Sequence, residues 1–129
     1  MAIRAGLLSL LLVLGFGVGQ EAQSQDAAVF ESVGLTAVSN SSISVGDLNG
    51  DGNLDFVITG EDEYDNLTTK VYLGDGSGGF SEAGADLLGV RNGSTSLGDL
   101  DGDDNLDLVV TGQAEFGRVT AVYMGNGDG

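Results

Sequence analysis

Short apolar segments separated by polar turns make up the chain from residue 29 onward. Runs such as Phe56–Ile58 and Leu108–Val110 are continuously apolar, and Gly, Asn and Asp residues separate them at hairpin-like spacing. The apolar positions do not follow a helical period. Short runs rich in β-branched residues and bounded by turn residues predict β-strands joined by hairpins.

The pattern occurs twice. Unit one predicts strands at Ser42–Gly46, at Phe56–Gly60 and from Thr69 onward; unit two predicts them at Ser94–Gly98, at Leu108–Gly112 and from Val119 onward. Asp47 and Asp99 are 52 residues apart, whereas Tyr72 and Tyr123 are 51 apart, so one loop is a residue shorter in unit two. A pattern that recurs together with its flanks indicates a structural repeat.

A fourth strand completes the first unit. Gly79–Ala83 predicts this outer strand, and four antiparallel strands in about 50 residues is the size of one β-propeller blade. We therefore predict an all-β fold of propeller blades, with blade one at 42–86 and an incomplete blade two at 94–129. The segment 27–38 is predicted to be the outer strand of the blade that closes the ring, so the repeat region runs from 27 to 129.

Neighbouring blades are expected to cover both faces of each unit. The continuously apolar runs Phe56–Ile58 and Leu108–Val110 are typical of strands that are buried on both sides. Propellers contain about four to eight blades, and the sequence contains two units. We therefore expect a fragment of a larger ring, with further blades C-terminal to residue 129.

The first 24 residues have the pattern of a secretory signal peptide. Arg4 precedes an apolar run at 5–18, and Ala22-Gln23-Ser24 supplies small residues for cleavage. The run has 14 residues, fewer than the roughly 20 that span a bilayer. The alternative is a buried N-terminal helix. We expect an exported protein without a membrane span, either secreted or at the cell surface.

Composition excludes several functional classes. The chain has 20 acidic and 4 basic residues, so a nucleic-acid or anionic-membrane binder is excluded. Cys is absent, so no disulfide stabilises the fold outside the cell. His is also absent, which removes Ser-His-Asp triads and His-ligated zinc. Metal ions bound by oxygen become the expected stabilising element.

Two acidic loops carry the candidate chemistry. Each places oxygen-bearing side chains at positions 1, 3, 5, 7 and 9: Asp47, Asn49, Asp51, Asn53 and Asp55 in loop one, and Asp99, Asp101, Asp103, Asn105 and Asp107 in loop two. Carboxylates this close repel one another by about 1 kcal/mol per pair at 4 Å in water, and by more near protein. A hard cation removes that repulsion, and calcium accepts six to eight oxygens in flexible geometry. We predict one Ca²⁺ ion per loop.

Rival calcium-binding motifs fit the two loops less well. An EF-hand or a dockerin requires a carboxylate at position 12, where the two loops have Ile58 and Val110. A parallel β-roll requires a nonapeptide repeat, which is absent. The loops could also be solvated hairpin turns without an ion. The acidic stretch Glu61–Asp65 lacks the alternating spacing, and we predict that it is an exposed loop.

The loops and their flanks resemble a known repeat family. The motif Gly-Asp-x-Asn/Asp-Gly-Asp-x-Asn-x-Asp, followed by an apolar strand and by Val-Tyr-Leu/Met-Gly-Asp/Asn-Gly, is similar to the FG-GAP/VCBS repeat, and the resemblance covers residues 27–129. The family includes the calcium-binding blades of integrin α-subunit propellers and many secreted bacterial proteins. The resemblance implies side-chain ligation by the Asp residues and Asn49, and a backbone carbonyl ligand from Asn53 and from Asn105.

Position 6 departs from the family pattern in one loop. Gly52 occupies it in loop one and Asp104 in loop two. Asp adopts positive φ less readily than Gly does. We expect either strain at Asp104 or relief by Gly102, with the Asp104 carboxylate in solvent.

The resemblance implies a non-enzymatic module that binds an extracellular protein or glycan, as in adhesion. Two alternatives stay open: an accessory propeller of a larger exported enzyme, and a structural component of a surface layer or matrix. Carboxylate pairs for glycoside hydrolysis could be drawn from the acidic loops, but the even spacing suits an ion better.

Overall fold

The computed structural model describes Phe30 and residues 32–129. Residues Gly34–Gly129 form one compact unit. The predicted signal peptide at 1–24 lies outside the described residues. Among the described residues there is no helix long and apolar enough to cross a membrane.

This compact unit is built from antiparallel strands. The described residues form seven of them: β1 (Ser39–Gly46), β2 (Asp55–Glu61), β3 (Leu67–Gly74), β4 (Phe80–Ala83), β5 (Arg91–Gly98), β6 (Asp107–Ala114) and β7 (Gly117–Tyr123). Strands β1 to β4 pair in sequential order in one sheet, here called blade one, and β5 to β7 pair likewise in blade two. The described part contains no helix, and the predicted all-β fold of propeller blades is confirmed.

The first strand of each blade starts three residues earlier than predicted. In β1, Ser39 pairs with Glu61 and Ser42 with Thr59, so one extra residue bulges out of the ladder. Strand β5 repeats this irregularity. Asn40 and Asn92 lie within the two bulges at φ 50° and 51°, a left-handed conformation that Asn tolerates better than most residues. The bulge lets a polar segment extend the ladder.

The segment before β1 belongs to neither sheet. Residues 32–38 pair with no strand of blade one or blade two. No strand pairing among the described residues tests the predicted outer strand at 27–38, which stays a prediction.

The hydrophobic core lies between the two blades. Val57 and Val71 of blade one and Leu108 and Val110 of blade two belong to one buried cluster. Burial of each such side chain contributes about 1.5–3 kcal/mol. The blades therefore pack face to face.

Polar contacts join the first strands of the two blades within this interface. Thr95 Oγ1 lies 2.8 Å from Ser44 Oγ, and the Thr95 backbone N–H donates to Ser42 Oγ at 3.1 Å. Thr95 is buried and the two serines are half-buried, so the polar groups of Thr95 have hydrogen-bond partners within the interface.

The linker between the blades is held from both sides at Leu88. Its backbone N–H donates to the Tyr123 hydroxyl at 3.0 Å, and its carbonyl accepts from Thr69 Oγ1 at 2.7 Å. Tyr72, the counterpart of Tyr123, has its hydroxyl 2.9 Å from Thr36 Oγ1, and Thr36 lies 52 residues before Leu88. Each blade thus anchors the segment that precedes it through the same tyrosine.

Candidate metal centre

Each acidic loop is the hairpin connection between the first two strands of a blade, as predicted. Loop one joins β1 to β2 and is closed by the Gly46–Asp55 pair. Loop two joins β5 to β6 and is closed by the Gly98–Asp107 pair. Strand pairing therefore fixes the backbone of the residue at position 9 of each loop, whereas positions 1 to 8 form the turn.

The carboxylate at position 1 organises the turn through backbone hydrogen bonds. The Asp47 carboxylate accepts from the N–H of Asp51 at 3.1 Å and from the N–H of Gly52 at 2.9 Å. Asp99 accepts from the N–H of Asp103 at 3.2 Å and from the N–H of Asp104 at 3.0 Å. The same positions are bonded in both loops, so the turn geometry is repeated.

Positions 3 and 5 extend this arrangement. Asn49 Oδ1 accepts from the N–H of Asp51, and Asp51 Oδ1 accepts from the N–H of Asn53. In loop two, Asp101 Oδ1 accepts from the N–H of Asp103, and Asp103 Oδ1 accepts from the N–H of Asn105. Such local side-chain bonds stabilise a turn and oppose helix formation. The side chains at positions 1, 3 and 5 therefore all have backbone partners within the loop.

The carboxylate at position 9 is buried and connects three segments of the blade. Asp55 is fully buried; its Oδ2 accepts from the N–H of Leu48 at 2.7 Å and its Oδ1 from the N–H of Gly74 at 2.8 Å. Asp107 does the same with Leu100 at 2.6 Å and Gly125 at 2.9 Å. Each carboxylate thus ties the start of the loop to the end of the third strand.

Loop two brings three carboxylates together. Oxygen atoms of Asp99, Asp101 and Asp107 all lie within 4.8 Å of one another, and Asp107 is the buried member. The equivalent positions in loop one are Asp47, Asn49 and Asp55, two carboxylates and one amide. Loop two therefore holds one more negative charge at the same place, and it is the stronger candidate for a cation.

Positions 5 and 7 lie outside this group of three. Both oxygens of Asp103 accept hydrogen bonds from Asn105, one from its backbone and one from its side chain. A Cβ at Gly127, in the turn after the third strand, would lie 2.7 Å from Asn105 Oδ1. The Asn105 side chain thus faces that turn. Ligation stays a prediction at all ten positions, including side-chain ligation by Asp51 and Asp103 and carbonyl ligation by Asn53 and Asn105.

Two neighbouring carboxylates of loop two have pKa values shifted in opposite directions. Desolvation within the loop raises the pKa of Asp101 above its ordinary value, and the charges of Asp103 and Asp107 act in the same direction. The backbone N–H and side-chain amide of Asn105 lower the pKa of Asp103. The charged form of Asp101 is thus disfavoured among its neighbours, which is what a cation would reverse.

Position 6 has the same backbone conformation in both loops. Gly52 has φ 86° and Asp104 has φ 72°. Gly50 and Gly102, at position 4, also have positive φ. Gly102 therefore does not relieve Asp104, and of the two outcomes expected from the sequence the structure has the strained one. The Asp104 side chain is exposed, as expected.

The stretch Glu61–Asp65 is only partly the exposed loop that we predicted. Glu61 ends β2 and forms an ion pair with Arg91 of blade two. Asp62 Oδ1 accepts from the N–H groups of Tyr64 and Asn66, both at 2.9 Å, and closes the β2–β3 connection. Glu61 is thus a strand residue whose side chain contacts blade two, and the acidic composition of the stretch alone does not indicate this position.

Sequence reasoning missed the second role of Asp55 and Asp107. It treated them as ligands only, whereas each accepts a hydrogen bond from a glycine at the end of the third strand. The repeat contains a signal for this role, since an Asp and a later Gly recur as Asp55 with Gly74 and as Asp107 with Gly125.

One family model matches this part of the chain. The family described as FG-GAP-like repeat matches residues 47–110, which include both acidic loops. No curated protein and no solved structure matches the chain. Repeats of this family are typically non-catalytic and are commonly extracellular. Residues 47–110 thus belong to the FG-GAP-like repeat family, and the chain is an FG-GAP-like repeat protein of propeller-blade type.

Proposed function

We propose that this chain is a calcium-stabilised, non-enzymatic repeat module of an exported protein, which recognises a protein or glycan outside the cell. The observation that carries the calcium part is the convergence of Asp99, Asp101 and Asp107 oxygens within 4.8 Å. The recurrence of the same loop geometry at Asp47 to Asp55 supports a second, weaker site.

The donor set favours calcium over other metals. All candidate ligands are carboxylate, amide or carbonyl oxygens, and the sequence has neither Cys nor His. Oxygen-only sites suit hard cations, and an irregular surface loop suits the variable coordination of Ca²⁺ better than the strict octahedron of Mg²⁺.

The proposed role of the ion is structural. Asp107 is held by hydrogen bonds to both the start of its loop and the end of β7. A cation bound to Asp99, Asp101 and Asp107 would neutralise the repulsion among these carboxylates and so stabilise the hairpin. At about 1 mM calcium and a Kd of about 0.1 mM, each site would stabilise the fold by roughly 1.4 kcal/mol.

Calorimetric titration of the chain with Ca²⁺ tests the proposal, together with thermal melting before and after EDTA. We expect heat of binding at submillimolar to millimolar calcium and a melting temperature that rises with calcium. The compact unit Gly34–Gly129 has about 100 residues. For a domain of this size, 1 kcal/mol of added stability raises the melting temperature by roughly 4 °C or more. Melting that is the same in calcium and in EDTA would contradict the proposal.

Two charge-matched substitutions in loop two separate binding from general charge effects. Asp101→Asn removes a member of the three-carboxylate group, whereas Asp104→Asn removes an exposed carboxylate that lies outside it. We expect Asp101→Asn to weaken calcium affinity about tenfold or more and Asp104→Asn to change it far less. Equal losses in both variants would show that only net charge matters.

Export and recognition are supported by the signal-like N-terminus and by the common extracellular location of the family. Expression of the full chain in a secreting host, followed by N-terminal sequencing, tests export. We expect a mature chain that begins after Ser24. Retention inside the cell with an intact Met1 would contradict this part of the proposal.

A further inference from the structure

A polar groove lies between the two blades, at the strand ends opposite the acidic loops. It measures about 590 Å³ and is lined by the β2–β3 connection, by the linker into β5 and by the β6–β7 turn. The acidic loops lie at the other ends of β2 and β6, which begin at Asp55 and Asp107. The proposed metal site therefore does not use this groove, whose volume is usual for a ligand-binding cleft.

Both blades contribute hydrogen-bonding side chains to the groove. Asp65 and Asn66 of blade one supply a carboxylate and an amide. Gln113 and Glu115 of blade two supply the same two groups. Arg91 adds a guanidinium group, which is held by an ion pair with the last residue of β2. The groove thus presents donors and acceptors from two sides.

The backbone that lines the groove is held in place by the linker. A Cβ at Gly89 would overlap the backbone carbonyl of Leu67, so the linker lies directly on β3. The Leu88 carbonyl accepts from Thr69 Oγ1 at 2.7 Å, and the Leu88 N–H donates to the Tyr123 hydroxyl at 3.0 Å. Since these segments are already ordered, a ligand pays little entropy for arranging them.

Each blade also places an exposed aromatic ring beside the groove. Tyr64 is 75% exposed and directly precedes the lining residue Asp65, and Phe116 is 95% exposed and directly follows the lining residue Glu115. The two aromatic residues are 52 apart in the sequence, the spacing that also separates the two acidic loops. Single exposed apolar side chains are common. Here, however, the repeat has a ring at the same turn in both blades, where the core does not need it.

We propose that this groove binds a non-acidic oligosaccharide. Sugar hydroxyl groups hydrogen-bond to carboxylate, amide and guanidinium groups, and the C–H face of a pyranose ring packs on an aromatic ring. The groove and the rings of Tyr64 and Phe116 combine both requirements. The proposal rests on the recognition part of the proposed function and names a site and a ligand class for it.

Charge excludes acidic sugars from this site. Among the described residues, neither Asp65 nor Glu115 forms an ion pair, whereas Arg91 is already paired. The whole chain has 20 acidic and 4 basic residues, so its field repels uronic acids and sulfated sugars. The ligand is therefore a neutral sugar or an amino sugar.

A protein segment fits the groove less well than a sugar does. The centre of a protein–protein interface is depleted in charged residues and is built around pockets for apolar or aromatic anchors. Five of the nine residues that line this groove have polar side chains, and three of these are charged. The aromatic rings lie beside the groove and are exposed, so they are available to a ligand and do not fill the groove themselves.

A glycan array that carries neutral, amino and acidic oligosaccharides tests the proposal with the full chain in calcium. We expect binding to non-acidic oligosaccharides and none to acidic ones. The oligosaccharide that binds most strongly is then titrated calorimetrically into the unaltered chain and its variants. Calcium titration of the same samples, together with their melting temperatures, shows that each protein is folded and reports separately on the metal part of the proposed function.

Two matched pairs of variants locate the site. Glu115 lines the groove and its repeat counterpart Glu63 does not, so Glu115→Gln should weaken sugar affinity about tenfold and Glu63→Gln should leave it unchanged. Tyr64→Ala and Phe116→Ala should each weaken it about tenfold or more. Phe30→Ala is their control, since Phe30 is 89% exposed, precedes both blades in the sequence and does not line the groove.

The possible failures are distinguishable from one another. Sugar binding that is unchanged in Glu115→Gln, Tyr64→Ala and Phe116→Ala would leave glycan recognition intact but overturn this groove as its site. Preference for acidic sugars, or equal losses in Glu115→Gln and Glu63→Gln, would overturn the proposed chemistry. Calcium binding without any sugar binding would assign the groove to a protein segment and overturn this inference, while the metal part of the proposed function would stand.

Discussion

At the scale of single residues, Asp104 is the clearest difference between the two loops. It occupies a left-handed conformation at φ 72°, in which Gly52 is found at φ 86° in loop one. Left-handed backbone costs an L-residue about 1–2 kcal/mol, less for Asp, and part of this is offset because Gly loses more entropy on folding. We therefore expect Asp104→Gly to raise the free energy of unfolding by about 0.5 kcal/mol. Urea denaturation measures this change.

The reverse substitution and a charge control complete that test. Gly52→Asp places an aspartate at the same position of loop one and should lower stability by a similar amount. Asp104→Asn keeps a side chain but removes the charge, so it separates strain from electrostatic repulsion. If Asp104→Gly is no more stable than Asp104→Asn, the backbone at position 6 is not the cause.

The positions of the loop residues could be predicted from the sequence, but not all of their contacts. Alternating oxygen-bearing residues between two strand-like runs were sufficient to place both loops at hairpins. The positive φ at Asp104 was one of two outcomes that the sequence left open, because it depends on how Gly102 turns. The hydrogen bond from Gly125 to Asp107 joins the residue two after β7 to the start of β6, and no local sequence pattern contains it.

At the scale of the elements, the β2–β3 connection has its own pH dependence. Asp62 accepts hydrogen bonds from the backbone N–H groups of Asn66 and Tyr64 and from the Asn66 side chain, and these bonds lower its pKa below the ordinary 3.8. A group whose pKa is depressed by folding contributes stability above its unfolded pKa and loses it as the pH falls through the folded pKa. The order of this loop should therefore persist at pH 4 and be lost below the folded pKa.

NMR titration checks this expectation directly. The Asp62 carboxyl carbon should titrate below pH 3.8, and the amide protons of Tyr64 and Asn66 should shift with the same midpoint. Asp62→Asn should abolish the shared midpoint. A midpoint at or above 3.8 would show that the carboxylate does not hold the loop in solution.

The strand ends were predicted less well than the strands themselves. The segment Ser39-Asn40-Ser41 is polar and has no β-branched residue, so its extension of β1 could not be foreseen from periodicity. It pairs because the bulge at Asn40 allows Ser39 to reach Glu61. The same feature at Asn92 shows that the bulge is part of the repeat.

At the scale of the whole molecule, the sequence predicted blades but not how they contact one another. The continuously apolar runs in β2 and β6 indicate that both faces are covered, yet they do not say which face meets which neighbour. That choice depends on the linker, and the linker is held at Leu88 by one residue from each blade. It also depends on glycines at which the linker passes close to the sheet.

Gly89 is the glycine on which the packing of the linker depends most directly. A Cβ at this position would overlap the backbone carbonyl of Leu67 in β3, and a backbone atom cannot move aside as a side chain can. Gly89→Ala should therefore push the linker away from blade one and lower the free energy of unfolding by about 1–3 kcal/mol. Because the adjacent Val90 is fully buried in the core cluster, the loss should appear as a lower urea midpoint for the whole molecule.

Gly84→Ala provides the matched control for this prediction. Gly84 lies in the same linker, and a Cβ there would have no atom within 4 Å. Its substitution should leave stability unchanged or raise it by up to about 1 kcal/mol, since alanine reduces the entropy of the unfolded chain. Equal effects at the two positions would mean that the linker adjusts freely, and the blades would then be held together by their facing side chains alone. A selective loss at Gly89 would show that the close passage of the linker over β3 sets the arrangement of the two blades.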